Sequence, residues 1–216
     1  MLIIRVGTRP SPLAIKQVEE ISACLPGVRF KVITIETKGD KDKTTPLSEM
    51  EGADFFTSKI EEGLISGWID AAIHSAKDLE DNPPKDTVIA ATTASISSHD
   101  CLVSKNNLPL GALPKGAVVG TSSLKRKDAV LKFRNDLIVK DIRGDINKRL
   151  TLLNSGDYDA IIVAHAALIR LGYENRIAEI IPEDVVQPHP LQGRLVVQVR
   201  RDRKDLIDLF GRINEN

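Results

Sequence analysis

Residues 117–133 read AVVGTSSLKRKDAVLKF, an apolar run followed by hydroxyl side chains and then by charged residues at helical spacing. The first part, AVVGTSS, predicts a strand, and the second, LKRKDAVLKF, predicts a helix. A strand that leads into a helix through a short polar turn is the repeating unit of α/β proteins. This stretch therefore indicates an α/β fold.

The same alternation of strand and helix runs along the rest of the chain. Further strands are predicted at LIIRV, FKVITIE, AAIHS, TVIAATT, CLVS, LIVKDI, AIIVA and RLVVQV. Further helices are predicted at PSPLAIKQVEEISACL, DFFTSKIEEGLIS, INKRLTLLNSG, AALIRLG and KDLIDLFGRI. Several strands are apolar on both faces, as parallel strands covered by helices are. The pattern predicts a doubly wound α/β protein.

Two loops are candidate crossing points between halves of the chain, TTASISSHD at 92–100 and PEDVVQPHPLQG at 182–193. If the chain crosses at both, the last strand and helix return to the first half. We therefore expect a first lobe from residues 1–92 plus 192–216 and a second from residues 96–188. A cleft between the two lobes would follow.

Composition sets limits on function. The chain has 216 residues, enough for a sizeable core, and its 30 basic residues balance its 30 acidic ones. The balance gives no reason to expect a nucleic-acid or membrane partner. The apolar run in the opening MLIIRVGTRP is too short for a signal peptide. No apolar stretch of the sequence is long enough to cross a bilayer. We expect a cytoplasmic protein.

Cysteine and histidine spacing argues against a metal centre. Cys24 and Cys101 lie far apart and outside any CxxC pair, which favours two reduced thiols over a disulfide. The four histidines do not have zinc-ligand spacing, and we predict no metal site. They are His74, His99, His165 and His189.

Four polar clusters follow predicted strands, where open α/β sheets bind their ligands. They are GTRPS at 7–11, HSAKD at 74–78, GTSSLKRK at 120–127 and DIRGD at 141–145. In the third cluster, hydroxyls at a helix start offer binding groups to an anion. Lys125 and Arg126 add cations in the first turn, where the helix dipole disfavours them, which indicates a nearby anion. An ordinary N-cap followed by a solvated basic face fits the pattern equally well.

Arginines at several strand ends indicate a ligand with several carboxylates, because Arg binds these as a planar fork. Arg143 ends one strand, and Arg149 follows in the next helix, where an exposed helix charge is the simpler interpretation. Asp78, a lone carboxylate amid these cations, suits the stabilisation of a cation that develops on a bound substrate. The simpler interpretation of Asp78 is a helix cap in a polar turn.

Six motifs in order and spacing resemble the porphobilinogen deaminases (hydroxymethylbilane synthases) of tetrapyrrole and heme biosynthesis. They are GTRPSPLAI, IHSAKDL, VVGTSSLKR, DIRGDINKRL, GDYDAIIVAHAALIRLG and LQG. The resemblance implies a cytoplasmic transferase that joins porphobilinogen molecules head to tail with loss of ammonia. It also implies two lobes like those of type II periplasmic binding proteins, followed by a small third domain. Porphobilinogen is then the small-molecule partner, and we expect a monomer.

The resemblance assigns roles to residues of the four clusters. It implies that Asp78 is the catalytic carboxylate, which holds pyrrole N–H groups and stabilises the cationic methylene-pyrrole. Positions that bind acetate and propionate groups in the family are matched by Arg9, Ser11, Lys77, Thr121, Ser123, Arg126, Arg143 and Arg149. The same motifs add Ser122, Lys125 and Gln192 as candidate binding residues.

The chain departs from the family pattern at several points. We expect no third domain after LIDLFGRINEN, and that domain carries the cysteine that tethers the family's dipyrromethane cofactor. Neither Cys24 nor Cys101 matches that cysteine, so we expect no covalent attachment here. Ala53 stands where the mobile loop usually has lysine, Lys125 where arginine is usual, and PLQGR replaces Gly-Gln-Gly-Ala.

Three functions stay open on this basis. The leading one is a short porphobilinogen deaminase. The second is a non-catalytic binding protein for pyrroles or tetrapyrrole carboxylates, which the missing cysteine keeps open. The third is a solute-binding lobe pair for a small carboxylate, against which HSAKD argues, because a carboxylate binder gains nothing from a central Asp.

Overall fold

The computed structural model describes residues 2–41, 57–79 and 83–215. These residues divide into two compact units. The first unit is built from residues up to 41, from 57 to 96 and from 193 onwards, and the second from residues 97–192. None of the helices in the described part of the chain has the length and apolarity that a membrane span requires.

Strands and helices alternate along most of the chain. The strands are β1 (Leu2–Thr8), β2 (Val28–Thr34), β3 (Ala71–Ser75), β4 (Thr87–Thr92), β5 (Asp100–Ser104), β6 (Val118–Gly120), β7 (Ile138–Lys140), β8 (Ala160–Ala164), β9 (Glu179–Ile180) and β10 (Leu195–Arg200). The helices are α1 (Pro12–Ala23), α2 (Lys38–Lys41), α3 (Ser58–Ile65), α4 (Leu124–Phe133), α5 (Ile146–Ser155), α6 (His165–Leu171) and α7 (Lys204–Gly211). The α/β prediction is confirmed.

The first unit contains a five-stranded sheet with the order β2-β1-β3-β10-β4. The strands β2, β1 and β3 are parallel to one another, whereas β10 is antiparallel to both of its neighbours. The last strand of the chain therefore lies inside the sheet that the first strand begins. Apolar clusters lie on both faces of this sheet, one with α1 and α7 and the other with α3.

The second unit repeats this arrangement with the order β7-β6-β8-β5-β9. Here β7, β6 and β8 are parallel, and β5 is antiparallel to β8 and β9. The expectation that strands apolar on both faces are parallel is therefore wrong for β5 and β10. Burial on both faces shows only that helices cover a strand, and it carries no information on the strand's direction.

A glycine near the end of the central parallel strand in each sheet brings two layers close together. Both strands carry the sequence Val-Gly-Thr, at residues 6–8 and 119–121. A Cβ at Gly7 would overlap the Ile69 side chain, and one at Gly120 would lie 2.9 Å from Tyr158 Cδ1. The threonine that follows each glycine is buried. The two polar turns that follow these strands thus begin from tightly packed positions.

One predicted helix is only partly covered by the structure. The stretch DFFTSKIEEGLIS contributes α3, which begins at Ser58. Its first two aromatic residues, Phe55 and Phe56, lie outside the described residues, as does Ala53 of the family's mobile loop.

Candidate functional site

A pocket in the first unit lies where β1 and β3 end. It brings together three of the candidate site residues, Arg9, Ser11 and Asp78. The rest of its lining is Thr8, Leu13, Ala14, Gln17, Thr57, Ile73, His74 and Ser75. The pocket therefore combines a cation, a carboxylate, hydroxyls and an imidazole within a partly apolar wall.

Asp78 ends a single 3-10 turn, Ala76–Asp78, directly after β3. Within the described residues, we find no hydrogen bond or ion pair to its carboxylate and no helix that it caps. A carboxylate that lines a pocket without a protein partner is available to a ligand that carries N–H groups or positive charge. Lys77, its neighbour in the same turn, is half-buried and does not line the pocket.

Arg9 faces the carboxylate of Asp40. Its Nη2 donates to Oδ1 at 2.5 Å and its Nε donates to the same oxygen at 3.1 Å. Thr37 donates to Oδ2 from both its backbone N–H and its hydroxyl, at 3.1 and 2.7 Å. Burial raises the pKa of Asp40, but the hydrogen bonds from Arg9 and Thr37 outweigh it, and the pKa lies below its usual value. Arg9 is thus held in place by an ionised side chain.

Ser11 and Gln17 come to the pocket from α1. Ser11 is the N-cap of the helix and accepts a hydrogen bond from the backbone N–H of Ala14 at 3.2 Å. Gln17 lies six residues further on, on the buried face of α1, and donates to Ser75 Oγ at 2.9 Å. Gln17 was not predicted from the sequence as a site residue. The signal was present, because an amide at a core-facing helix position needs a polar partner.

His74 and Thr8 are two of the four buried polar residues that line the pocket, beside Gln17 and Thr57. His74 Nε2 and Thr8 Oγ1 have no hydrogen-bond partner among the described residues. Burial lowers the pKa of His74 to about 4, the nearby side chain of Gln198 partly opposes the shift, and the charge of Arg9 adds to it. His74 is therefore a neutral imidazole at physiological pH. The sequence places His74 in the cluster HSAKD but predicts no role for its side chain.

The hydroxyls of the second unit organise the start of α4. Ser123 is the N-cap and accepts from the backbone N–H of Arg126 at 3.4 Å. Thr121 Oγ1 accepts from the backbone N–H of Ser123 at 3.3 Å. The hydroxyl of Ser122 donates to the carbonyl of Ile142, which ties this turn to the chain beyond β7.

Arg126 has an anion beside it, as the sequence predicts, but the anion belongs to the protein. Its Nε and Nη2 donate to the two carboxylate oxygens of Asp100 at 2.8 and 2.6 Å. Gln192 lies against the same pair, with its Nε2 2.7 Å from Asp100 Oδ1. Lys125, by contrast, is exposed, and its Nζ donates to the Pro188 carbonyl at 3.4 Å.

Arg143 and Arg149 extend the positive charge around Arg126. Burial, together with the charges of Arg126 and Arg143, lowers the pKa of Arg149 to about 10. The three guanidinium groups are thus near enough to act on one another electrostatically. Arg149 Nε is held by the Gly144 carbonyl at 2.9 Å. The group suits a ligand with more than one carboxylate.

The two five-stranded sheets, with one strand antiparallel to both neighbours in each, define a class of protein: this is the fold of the type II periplasmic binding proteins. A putative methionine-binding lipoprotein of Bacillus subtilis superposes with a TM-score of 0.56, over 96% of this chain and 90% of that one, at 13% identity. At this identity the likeness concerns the fold alone.

The family follows from the sequence comparisons. The family model for porphobilinogen deaminase, dipyromethane cofactor binding domain, matches residues 4–208. A porphobilinogen deaminase of Deinococcus radiodurans is 38% identical over 100% of this chain and 72% of its own length. One of Geobacillus kaustophilus is 41% identical over 98% of this chain and 70% of its own length. The chain belongs to the porphobilinogen deaminase family, which confirms the resemblance seen in its motifs.

Proposed function

We propose that the protein is a hydroxymethylbilane synthase, which condenses porphobilinogen units head to tail with loss of ammonia in tetrapyrrole biosynthesis. The observation that carries this proposal is the carboxylate of Asp78, which lines a pocket with Arg9 and Ser11 and has no partner among the described residues. A pocket that served only to bind carboxylates would be weakened by a negative charge at its wall.

Asp78 acts on the charge that develops as the substrate loses ammonia. The bond between the methylene carbon and the amine nitrogen breaks, and both electrons leave with ammonia. The methylene carbon then shares a positive charge with the pyrrole nitrogen, whose N–H points to a carboxylate acceptor. A fixed carboxylate at this place stabilises the cation more than it stabilises the neutral ring, and so lowers the barrier.

The second bond forms when the free α-carbon of another pyrrole attacks the methylene carbon. The attacking α-carbon gains the new C–C bond and then releases its own proton to solvent, which restores the aromatic ring, while the methylene carbon keeps both of its hydrogens. The arginines position the reactants, because acetate and propionate side chains are bound by guanidinium groups as planar forks. We assign this role to Arg126, Arg143 and Arg149 in the second unit and to Arg9 with Ser11 in the first.

The same groups fit the dipyrromethane cofactor of the family. Its acid side chains match the guanidinium groups of Arg126, Arg143 and Arg149. When bound, the cofactor would supply the pyrrole α-carbon to which the first substrate is joined. The cysteines do not fit a covalent anchor. Burial, together with the charge of Asp100, raises the pKa of Cys101 to about 12. Cys24 is exposed at the end of α1 and does not line the pocket. We propose that the cofactor is not attached to either thiol.

Replacement of Asp78 by Asn tests the proposal, because it keeps the size of the side chain and removes its charge. We expect ammonia release from porphobilinogen to fall about 100–1000-fold, as for other preorganised electrostatic contacts. Equilibrium binding of porphobilinogen should change little, since the arginines hold the carboxylates.

Asp86→Asn is the matched control, since Asp86 is exposed in the same unit and outside the pocket lining. Wild-type protein that binds porphobilinogen without releasing ammonia would be a binding protein. Normal turnover by Asp78→Asn would remove the carboxylate from the mechanism.

A further inference from the structure

Asp100 and Gln192 form a buried pair of acceptors around one edge of the Arg126 guanidinium. Asp100 Oδ2 accepts from Arg126 Nε at 2.8 Å, and Oδ1 accepts from Nη2 at 2.6 Å. Gln192 Oε1 lies 3.3 Å from the same Nη2. The Asp100 carboxylate thus makes a bidentate charged contact with the guanidinium, and the neutral amide oxygen of Gln192 is a third acceptor. Such a set of contacts fixes the plane of the guanidinium.

The pair is itself held by the backbone of the loop before β5. Gln192 Nε2 lies 2.8 Å from the Ser98 carbonyl, 3.0 Å from the His99 carbonyl and 2.7 Å from Asp100 Oδ1. Asp100 is the first residue of β5 and pairs with Ala164 in the sheet. Asp100 and Gln192 are therefore fixed by the sheet and by the loop before β5. They cannot follow Arg126 if its side chain rotates.

Both residues are too deeply buried to act on a ligand directly. Asp100 is 3% exposed and Gln192 is 2% exposed, whereas the Arg126 side chain is 13% exposed. The edge of Arg126 that carries Nε is already bonded to Asp100. Among the described residues, Nη1 has no acceptor, so this end of the guanidinium is the one that a ligand carboxylate can reach.

We propose that Asp100 and Gln192 are positioning residues that hold Arg126 with its Nη1 end toward the carboxylate of the substrate. The proposal rests on the proposed function, and it changes the role expected for Gln192, which then acts through Arg126 rather than as a ligand of the substrate. Preorganisation of this kind strengthens binding, because a long side chain is ordered before the substrate arrives. Asp100 also offsets part of the repulsion among Arg126, Arg143 and Arg149.

Asp100→Asn tests the proposal with little change in size. Its amide NH₂ would face a donor of Arg126, so the guanidinium loses one charged hydrogen bond and its fixed orientation. We expect KM for porphobilinogen to rise about 10–100-fold, the usual effect of one such bond, while kcat stays within about threefold. Asp128→Asn, on the exposed side of α4, is the matched control and should leave KM unchanged.

A double-mutant cycle separates positioning from a merely structural role. In an Arg126→Ala background, Asp100→Asn should change KM less than twofold, because the residue through which Asp100 acts is gone. In the same Arg126→Ala background, Asp100→Asn should raise the melting temperature, because it removes a buried carboxylate charge that has lost its partner. Equal effects on KM with and without Arg126 would overturn the proposal.

Two further measurements keep the proposal testable in every case. The Arg126 Nε–H should exchange slowly with water in ¹⁵N-edited NMR spectra of the wild type and rapidly in Asp100→Asn. Rapid exchange in the wild type refutes the positioning role, even if the protein does not bind porphobilinogen and the proposed function itself fails. If Asp100→Asn does not fold, Gln192→Ala replaces it, and an unchanged KM in that variant also refutes the proposal.

Discussion

Acidification from neutral pH should destabilise the protein through the imidazole of His74. The imidazole is 6% exposed, and its Nε2 has no partner among the described residues. Its pKa is lowered from 6.5 to about 4, mainly by burial. At 1.36 kcal/mol for each pKa unit, the difference corresponds to about 3 kcal/mol of stability. Desolvation is nearly complete here, so solvent screening reduces this figure little.

The direction in which stability changes with pH follows from proton uptake by the unfolded chain. Between pH 6.5 and about 4 the unfolded chain binds a proton at His74 and the folded chain does not. The free energy of unfolding therefore falls as the pH falls through this window, and the contribution is fully present only above pH 6.5. Hydrogen bonds from arginines hold the pKa values of Asp40 and Asp70 below 3.8 despite burial, so these carboxylates stabilise the folded protein above that pH and lose this contribution only at lower pH, as they become protonated.

Urea unfolding at half-unit steps from pH 7.5 to 4.5 measures this loss. His74→Gln keeps a neutral polar side chain at the site, so its free energy of unfolding should fall much less than that of the wild type down to pH 4.5, with a remaining slope from His165, whose pKa is also lowered by burial. The exposed His189→Gln should follow the wild type. Parallel curves for the wild type and His74→Gln across this range would show that His74 is hydrated in solution and that the reasoning from burial is wrong.

Two other predictions concern the ligand. Arg143→Ala should weaken porphobilinogen binding by about 1–3 kcal/mol through the loss of a charged hydrogen bond, as measured by calorimetry at fixed ionic strength. An equal loss in Arg212→Ala, at an exposed site of the first unit, would reduce this to a general charge effect. Protein produced in cells that make porphobilinogen should show the mass of its sequence in intact-mass spectrometry. An increment of two pyrroles mapped to Cys24 or Cys101 would contradict our assignment of those thiols.

Local patterns predicted most of the elements because their signals are contained in a few neighbouring residues. The run AIIVA became β8 and LKRKDAVLKF became α4, with the same bounds. A continuous apolar run and an N-cap serine are sufficient for such elements. The short elements α2 and β9 were missed, since four and two residues carry too little periodicity to stand out.

The candidate site was predicted as residue types at strand ends, and the partners of those residues were not. The sequence around Arg126 indicates an anion but cannot show that Asp100, 26 residues earlier, supplies it. Thr8 and His74 lie in two of the predicted clusters, but the sequence shows neither their burial nor their lack of a hydrogen-bond partner among the described residues. Both depend on contacts between segments that are distant in sequence.

The position of β10 has a consequence for the order in which the protein folds during synthesis. The sheet of the second unit uses strands between residues 100 and 180, so its pairings are complete once that segment has left the ribosome. The sheet of the first unit cannot be completed at that stage, because β10 lies between β3 and β4 and is the last of these strands to be synthesised. Until then β4 has no strand beside it and β3 has one open edge, the kind of surface on which nascent chains associate. Slow closure over this long sequence separation makes the first unit the part of the chain that most needs protection while it is being made.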